Sequence, residues 1–133
     1  MKRVLSLVVA VVLTVSVLNV TWVYAIEPYE MQPNYIGVAT MKPGLTLNTG
    51  GLMTCTDNIE IKTGYTAKVV WSLQYQSNRN WISTQTWKDS NKKRMSLNKT
   101  VAVVSGRNYR LQTVATVYDA NGKLVETATK VSE

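Results

Sequence analysis

From Tyr35 onward the chain is rich in Thr, Val and aromatic residues, and nowhere do apolar residues repeat at helical spacing over three turns. The clearest pattern is Ala67–Gln76, where Ala67, Val69, Trp71, Leu73 and Tyr75 alternate with Lys68, Val70, Ser72, Gln74 and Gln76. Successive side chains of a strand point to opposite faces, so this run predicts a strand with one apolar and one nearly polar face. A second unit pairs Tyr109–Tyr118 with Lys123–Val131 across Asp119-Ala120-Asn121-Gly122, with Gly122 supplying the positive φ that closes a hairpin. Asp-x-Asn-Gly also echoes part of a calcium loop, but the remaining ligand positions and the terminal Glu are missing, and the turn chemistry decides for the hairpin. Further turn signals fall at Lys42-Pro43-Gly44, Asn48-Thr49-Gly50-Gly51, Thr63-Gly64, Ser77-Asn78-Arg79-Asn80, Asp89-Ser90-Asn91 and Ser105-Gly106. Short strands at this spacing predict an all-β fold, an antiparallel β-sandwich of about seven to eight strands over residues 35–133. Residues 26–34 hold two prolines and no period, and are expected to form an extended lead-in.

The landmarks of this pattern resemble a bacterial immunoglobulin-like domain. Leu45-Thr46-Leu47 and Gly50–Thr56 look like its first two strands, and Trp71, sixteen positions after Cys55, looks like the core Trp of the third. Tyr109 stands where that fold places a tyrosine corner, and Leu111 where an antibody domain has its second Cys. The resemblance therefore implies a core of Cys55, Trp71 and Leu111 without a disulfide. Small secreted single-domain proteins of Gram-positive, clostridia-like bacteria are similar in the segment around Cys55, in Leu73-Gln74, in the paired Trp, and in Tyr109-Arg110, Val117-Tyr118, Gly122 and Glu126-Thr127. That family supplies a fold but no activity to carry over.

The N-terminus follows different rules. Lys2 and Arg3 precede an uncharged stretch from Val4 to Ile26 that ends in Val23-Tyr24-Ala25. A basic start, an apolar run and modest residues at −3 and −1 predict a signal peptide over residues 1–25, cleaved after Ala25. The competing reading is a retained anchor, since the run approaches the ~20 residues that span a bilayer; Ser6, Thr14, Ser16, Asn19 and Thr21 weaken it. The mature chain is then expected to be secreted, extracellular or associated with the cell wall. Without residues 1–25, 13 basic residues oppose 8 acidic ones, a net charge of +5 that favours loose attraction to polyanions. One cysteine excludes an intramolecular disulfide, so the hydrophobic core alone must hold the domain. The chain has no His, which removes the commonest general base and metal ligand, and no cofactor or metal site is expected.

Ser96-Leu97-Asn98-Lys99 matches the Ser-x-x-Lys acylation motif, but that chemistry needs a helix and partner motifs. The run into Thr100–Val104 favours a strand, where positions i and i+3 face opposite ways. Asn98-Lys99-Thr100 is a glycosylation sequon, meaningful only in a eukaryotic source. The carboxylates are scattered and suggest no glycosidase pair. Cys55 reads as a small buried core residue rather than a reactive thiol. Asn80–Lys88 is the most informative segment: on a regular strand Trp81 and Trp87 share a face with Ser83 and Gln85. Two indoles on a polar face suit a sugar or polymer platform, unless a bulge turns one or both of them into the core or over a sheet edge. Lys88, Lys92, Lys93 and Arg94 follow closely and could add charge for an anionic polymer, although charge runs usually face water. The expected function is a non-catalytic secreted binding module for a surface glycan or anionic wall polymer, with Trp81, Trp87, Lys88, Lys92, Lys93 and Arg94 as the candidate ligand residues. A structural protein–protein assembly module is the alternative, an enzyme the third reading; no specific nucleic acid is expected, and contact with a membrane only before cleavage.

Overall fold

The computed structural model describes residues 34–132. The expected signal peptide, its cleavage point at Ala25 and most of the lead-in lie outside the described residues. Eight antiparallel strands follow one another: β1 (Val38–Met41), β2 (Gly44–Asn48), β3 (Leu52–Ile61), β4 (Thr66–Ser77), β5 (Asn80–Ser90), β6 (Arg94–Ala102), β7 (Tyr109–Tyr118) and β8 (Leu124–Val131). In one sheet β3 pairs with β6 on one side and with β1 and β2 in succession on the other. The other sheet runs β5-β4-β7-β8. The all-β sandwich read from the sequence is therefore the fold, and its order is that of an immunoglobulin-like sandwich, with the chain changing sheets after β3, β5 and β6.

The inner faces are built by period-two alternation. Met53, Cys55, Ile59 and Ile61 of β3 meet Ala67, Val69, Trp71 and Leu73 of β4 and Leu111, Ala115 and Val117 of β7 in one hydrophobic cluster. Met95 and Leu97 of β6 and Val38 and Met41 of β1 complete it. The hairpins close where turn chemistry allows. Asn78 and Arg79 both take positive φ between β4 and β5, the backbone that matches the twist of a tight hairpin. Gly122 has φ 79° between β7 and β8, and Asp119 Oδ1 accepts from the amides of Asn121 and Lys123. The Asp119–Gly122 segment is thus occupied by its own turn.

One inward position breaks the apolar pattern. Asp57 occupies a core slot of β3 between Cys55 and Ile59, with 5% of its surface exposed. Its Oδ2 accepts from Trp71 Nε1 (3.0 Å) and Thr113 Oγ1 (2.6 Å), both on the opposite sheet. Its Oδ1 accepts from the backbone amides of Lys42 (2.8 Å) and Asn58 (2.7 Å). A buried carboxylate is tolerated when its lone pairs are filled in this way. Asp57 therefore joins the two sheets and also fixes the chain at Lys42, where β1 ends before β2 begins.

Candidate binding face

The bulge in β5 decides how the Trp residues are used. Trp71↔Trp87 and Leu73↔Gln85 are paired in register, but the next pairs are Gln74↔Ser83 and Gln76↔Trp81. Thr84 is the extra residue, and its hydroxyl donates to Leu73 O at 3.3 Å. Residues opposite one another share a face, so Trp87 falls on the core side with Trp71, and Trp81 on the outer side with Gln74 and Gln76. Trp87 packs against the hydrophobic core, half-buried. The two indoles expected to share one platform are thus separated to opposite faces by a single inserted residue.

The cations disperse too. Lys88 lies on the outer face opposite Val70. Lys92 follows the end of β5 and pairs with Asp89 at 3.1 Å. Lys93 is in the same turn, where its carbonyl accepts from Ile61 N (2.8 Å). Arg94 belongs to the other sheet and sits 3.8 Å from Glu60. Trp81 and Lys92 stand at opposite ends of an eleven-residue strand, roughly 30 Å apart at the rise of extended chain. The segment Trp81–Arg94 is therefore not one surface. Much of it is the unpaired flank formed by β5 and β6, where a bulge and lysines blunt exposed strand edges.

A different surface gathers charge and aromatic area: the outer face of β5-β4-β7-β8. Register places Lys68, Val70, Ser72, Gln74 and Gln76 there from β4, and Trp81, Ser83, Thr86 and Lys88 from β5. From β7 come Arg110, Gln112, Val114, Thr116 and Tyr118, and from β8 Thr127, Thr129 and Val131. Lys68, Lys88 and Arg110 are its cations, and among the described residues no carboxylate lies on it. Gln74 is the organiser. Only 8% exposed on an outward face, it donates through Nε2 to Ser83 Oγ and Gln112 Oε1, both at 3.3 Å, and accepts at Oε1 from Arg110 Nε at 2.8 Å. The Arg110 guanidinium lies over the Trp81 ring, 4.1 Å from its centroid, and Lys68 lies 5.7 Å from the Tyr118 ring. Both are cation–π contacts that hold the charged head against the sheet. Sequence reasoning passed over Arg110, Gln74 and Lys68 because their meeting depends on strand order. The signal that could have found them was the polar half of the Ala67–Gln76 alternation.

The remaining marked residues take structural places. Cys55 is fully buried, and burial pushes its thiol up to about 11. Trp71 and Leu111 are buried in the same cluster. Tyr109 is half-buried, its hydroxyl accepting from Val104 N (2.9 Å) five residues upstream, the geometry of a tyrosine corner. Ser96 and Lys99 both lie in β6, opposite Asn58 and Cys55 respectively, and so on opposite faces. Ser96 Oγ donates to Asn58 Oδ1 (2.8 Å), and no Ser–Lys pair forms. Each described carboxylate has a partner within the fold: Asp57 in the core, Glu60 with Arg94, Asp89 with Lys92, Asp119 in its turn, and Glu126 on the amides of Ile36 and Gly37. Among the described residues no three His, Cys, Asp or Glu side chains gather as metal ligands, and no helix is long and apolar enough to cross a membrane. No protein-family model matches this sequence, and no curated protein matches it.

Proposed function

We infer that this protein is an exported, non-catalytic binding module whose partner is an anionic polymer of the extracellular surface, held on the outer face of β5-β4-β7-β8. The observation that carries this reading is the composition of that face: Lys68, Lys88 and Arg110 on a hydrogen-bonded Gln, Ser and Thr surface with no carboxylate among its described residues. A flat face of one sign attracts a polyanion over a Debye length and offers side-chain amides and hydroxyls to its polar groups. The aromatic component is Trp81, not a Trp81–Trp87 pair. Export rests on the sequence pattern ending at Ala25, and a mature N-terminus at Ile26 in culture supernatant tests it; recovery of the intact chain only in membranes would overturn it.

Binding is tested with residues 26–133 on isolated cell-wall polymer. A K68Q/K88Q variant should bind about three- to tenfold more weakly, the loss of two exposed charge contacts, and affinity should fall as salt rises. Binding that ignores both changes would sink this reading. The second reading, a protein–protein assembly module, draws on the end of the sandwich near the β2–β3 turn. There Leu47 is 70% and Val104 53% exposed, beside a depression of about 270 Å³ that also touches Met53, Val103 and Tyr109. Concentration-dependent self-association abolished by Leu47→Ser would favour it.

A further inference from the structure

We propose that Arg110, stacked on Trp81 and tied to Gln74, is a preorganised oxyanion site that engages one phosphate or carboxylate group of the polymer through its free guanidinium edge. This rests on the outer face of β5-β4-β7-β8 being the binding surface, and it names the group on that face that does the reading.

Three observations lead to Arg110 rather than to the lysines. The guanidinium is fixed on two sides, by Trp81 at 4.1 Å from its centroid and by the Nε hydrogen bond to Gln74 Oε1 at 2.8 Å. Gln74 cannot simply turn away, because its Nε2 is engaged by Ser83 and Gln112, which leaves Oε1 for Arg110. The two terminal nitrogens of Arg110 have no hydrogen-bond or salt-bridge partner among the described residues. A planar fork already held in place loses little rotamer entropy on meeting two oxygens of one anion, whereas a lysine ammonium must be ordered from a flexible stem.

The surroundings have the matching sign. Arg79, in the β4–β5 turn, and Arg107, in the β6–β7 connection, stand at the same end of the sheet, where the amide of Gln76 donates to Asn108 O (2.9 Å). Arg107 lies over the Tyr75 ring at 4.1 Å, so two of these three guanidiniums rest on aromatic faces. The described carboxylates lie elsewhere. Asp57 is saturated in the core, while Glu60, Asp89, Asp119 and Glu126 lie toward the opposite end, near the β3–β4, β5–β6 and β7–β8 turns. The Arg end of the sheet thus carries positive charge with no described carboxylate beside it, while Lys68 and Lys88 stand toward the other end of the same face. Arg110 is the member of the Arg cluster set on the face itself.

The test compares R110K, which keeps the charge but loses the fork and the stack, with K68Q/K88Q, which removes charge elsewhere on the face. Binding to polyphosphate, poly-glutamate and neutral dextran is measured at two salt concentrations, with thermal melting as the folding control. The expected result is about a tenfold loss in R110K at unchanged melting temperature, since bidentate charge-assisted bonds do not survive replacement by a point charge. A stronger effect on polyphosphate than on poly-glutamate identifies phosphate as the group read, and the reverse identifies carboxylate. If K68Q/K88Q weakens binding while R110K binds as wild type, the Arg110 site is overturned and the face stands. If neither anionic polymer binds better than dextran, both are overturned.

Discussion

Asp57 and Trp71 connect the two sheets through the interior, the Trp71 indole N–H donating to Asp57 Oδ2 at 3.0 Å. The same oxygen accepts from Thr113, so one carboxylate on β3 ties down both central strands of the facing sheet. A chain with a single cysteine has no disulfide between its sheets, and Asp57 occupies the place where such a domain can still fix their relation by a directional bond.

Asp57→Ala should accordingly destabilise the domain by about 3 kcal/mol or more, because it strands two buried donors besides losing bonds to a charged group. Asp57→Asn keeps the volume but turns an N–H₂ toward donors, and should fall between Ala and wild type. Urea denaturation measures both. A change under about 1 kcal/mol in the Ala variant would show that the bridge contributes little beyond its desolvation cost.

How much of this was legible in the sequence differs from residue to residue. Trp71 and Leu73 could be placed in the core because alternation is local, and the Asp119–Gly122 turn because its chemistry lies within four residues. Asp57 could not, since a charged residue in a strand pattern reads as outward and its partners Trp71 and Thr113 are 14 and 56 positions away. A bulge in Asn80–Lys88 stood as the alternative to the shared platform, but its place at Thr84 could not be read: one inserted residue changes the phase of a period-two pattern and reverses the side of everything beyond it. The candidate segment Trp81–Arg94 failed as a unit for that reason, and because closeness along an extended strand is distance in space. Arg110 joined Trp81 only through the order β5-β4-β7, which no single segment encodes.

The bulge makes Trp81 and Trp87 separable by experiment. Trp87→Ala should cost about 2 kcal/mol or more, as for truncation of a large side chain packed on a core. Trp81→Ala should cost less than about 1 kcal/mol in stability, as for a surface contact, while weakening polymer binding. Paired melting curves and binding isotherms check this. Equal destabilisation by the two substitutions would mean the indoles are not on different faces.

Cys55 should behave as an inert thiol with a defined pH signature. Burial raises its pKa from 9.0 to about 11, and a raised pKa means the folded state favours the neutral, protonated form. That contribution is fully present below the unfolded pKa and is lost as pH rises through the folded value, so stability should decline between about pH 9 and 11. The informative quantity is wild type minus Cys55→Ala, whose slope isolates the thiol. Native labelling by maleimide should be slow and should accelerate on unfolding. Rapid native labelling would contradict the buried placement.

Glu126 and Gly37 hold residues 35–37, the stretch just before β1, against the sandwich. Glu126 Oε2 accepts from Ile36 N at 2.7 Å and Gly37 N at 3.0 Å, and Lys62 Nζ donates to Tyr35 O at 2.8 Å. The Tyr35 hydroxyl pKa is raised, first by burial and then by the nearby Glu126 charge. A Cβ on Gly37 would stand 2.5 Å from Val117 Cγ1 and 3.1 Å from the Tyr65 ring, so glycine is required by close approach rather than by backbone angle. Gly37→Ala should therefore destabilise by about 1–3 kcal/mol, the cost of forcing a methyl into a packed contact. Glu126→Gln can still accept one amide but loses the charge, and should cost about 1 kcal/mol. The two differ in what they release. Gln at position 126 should raise amide exchange at Ile36 and Gly37 with little effect on Val117, whereas Ala at position 37 must displace Val117 and so should also loosen β7. Hydrogen exchange that rises at β7 in both variants, or in neither, would show that the carboxylate and the glycine do not hold the segment by separate contacts.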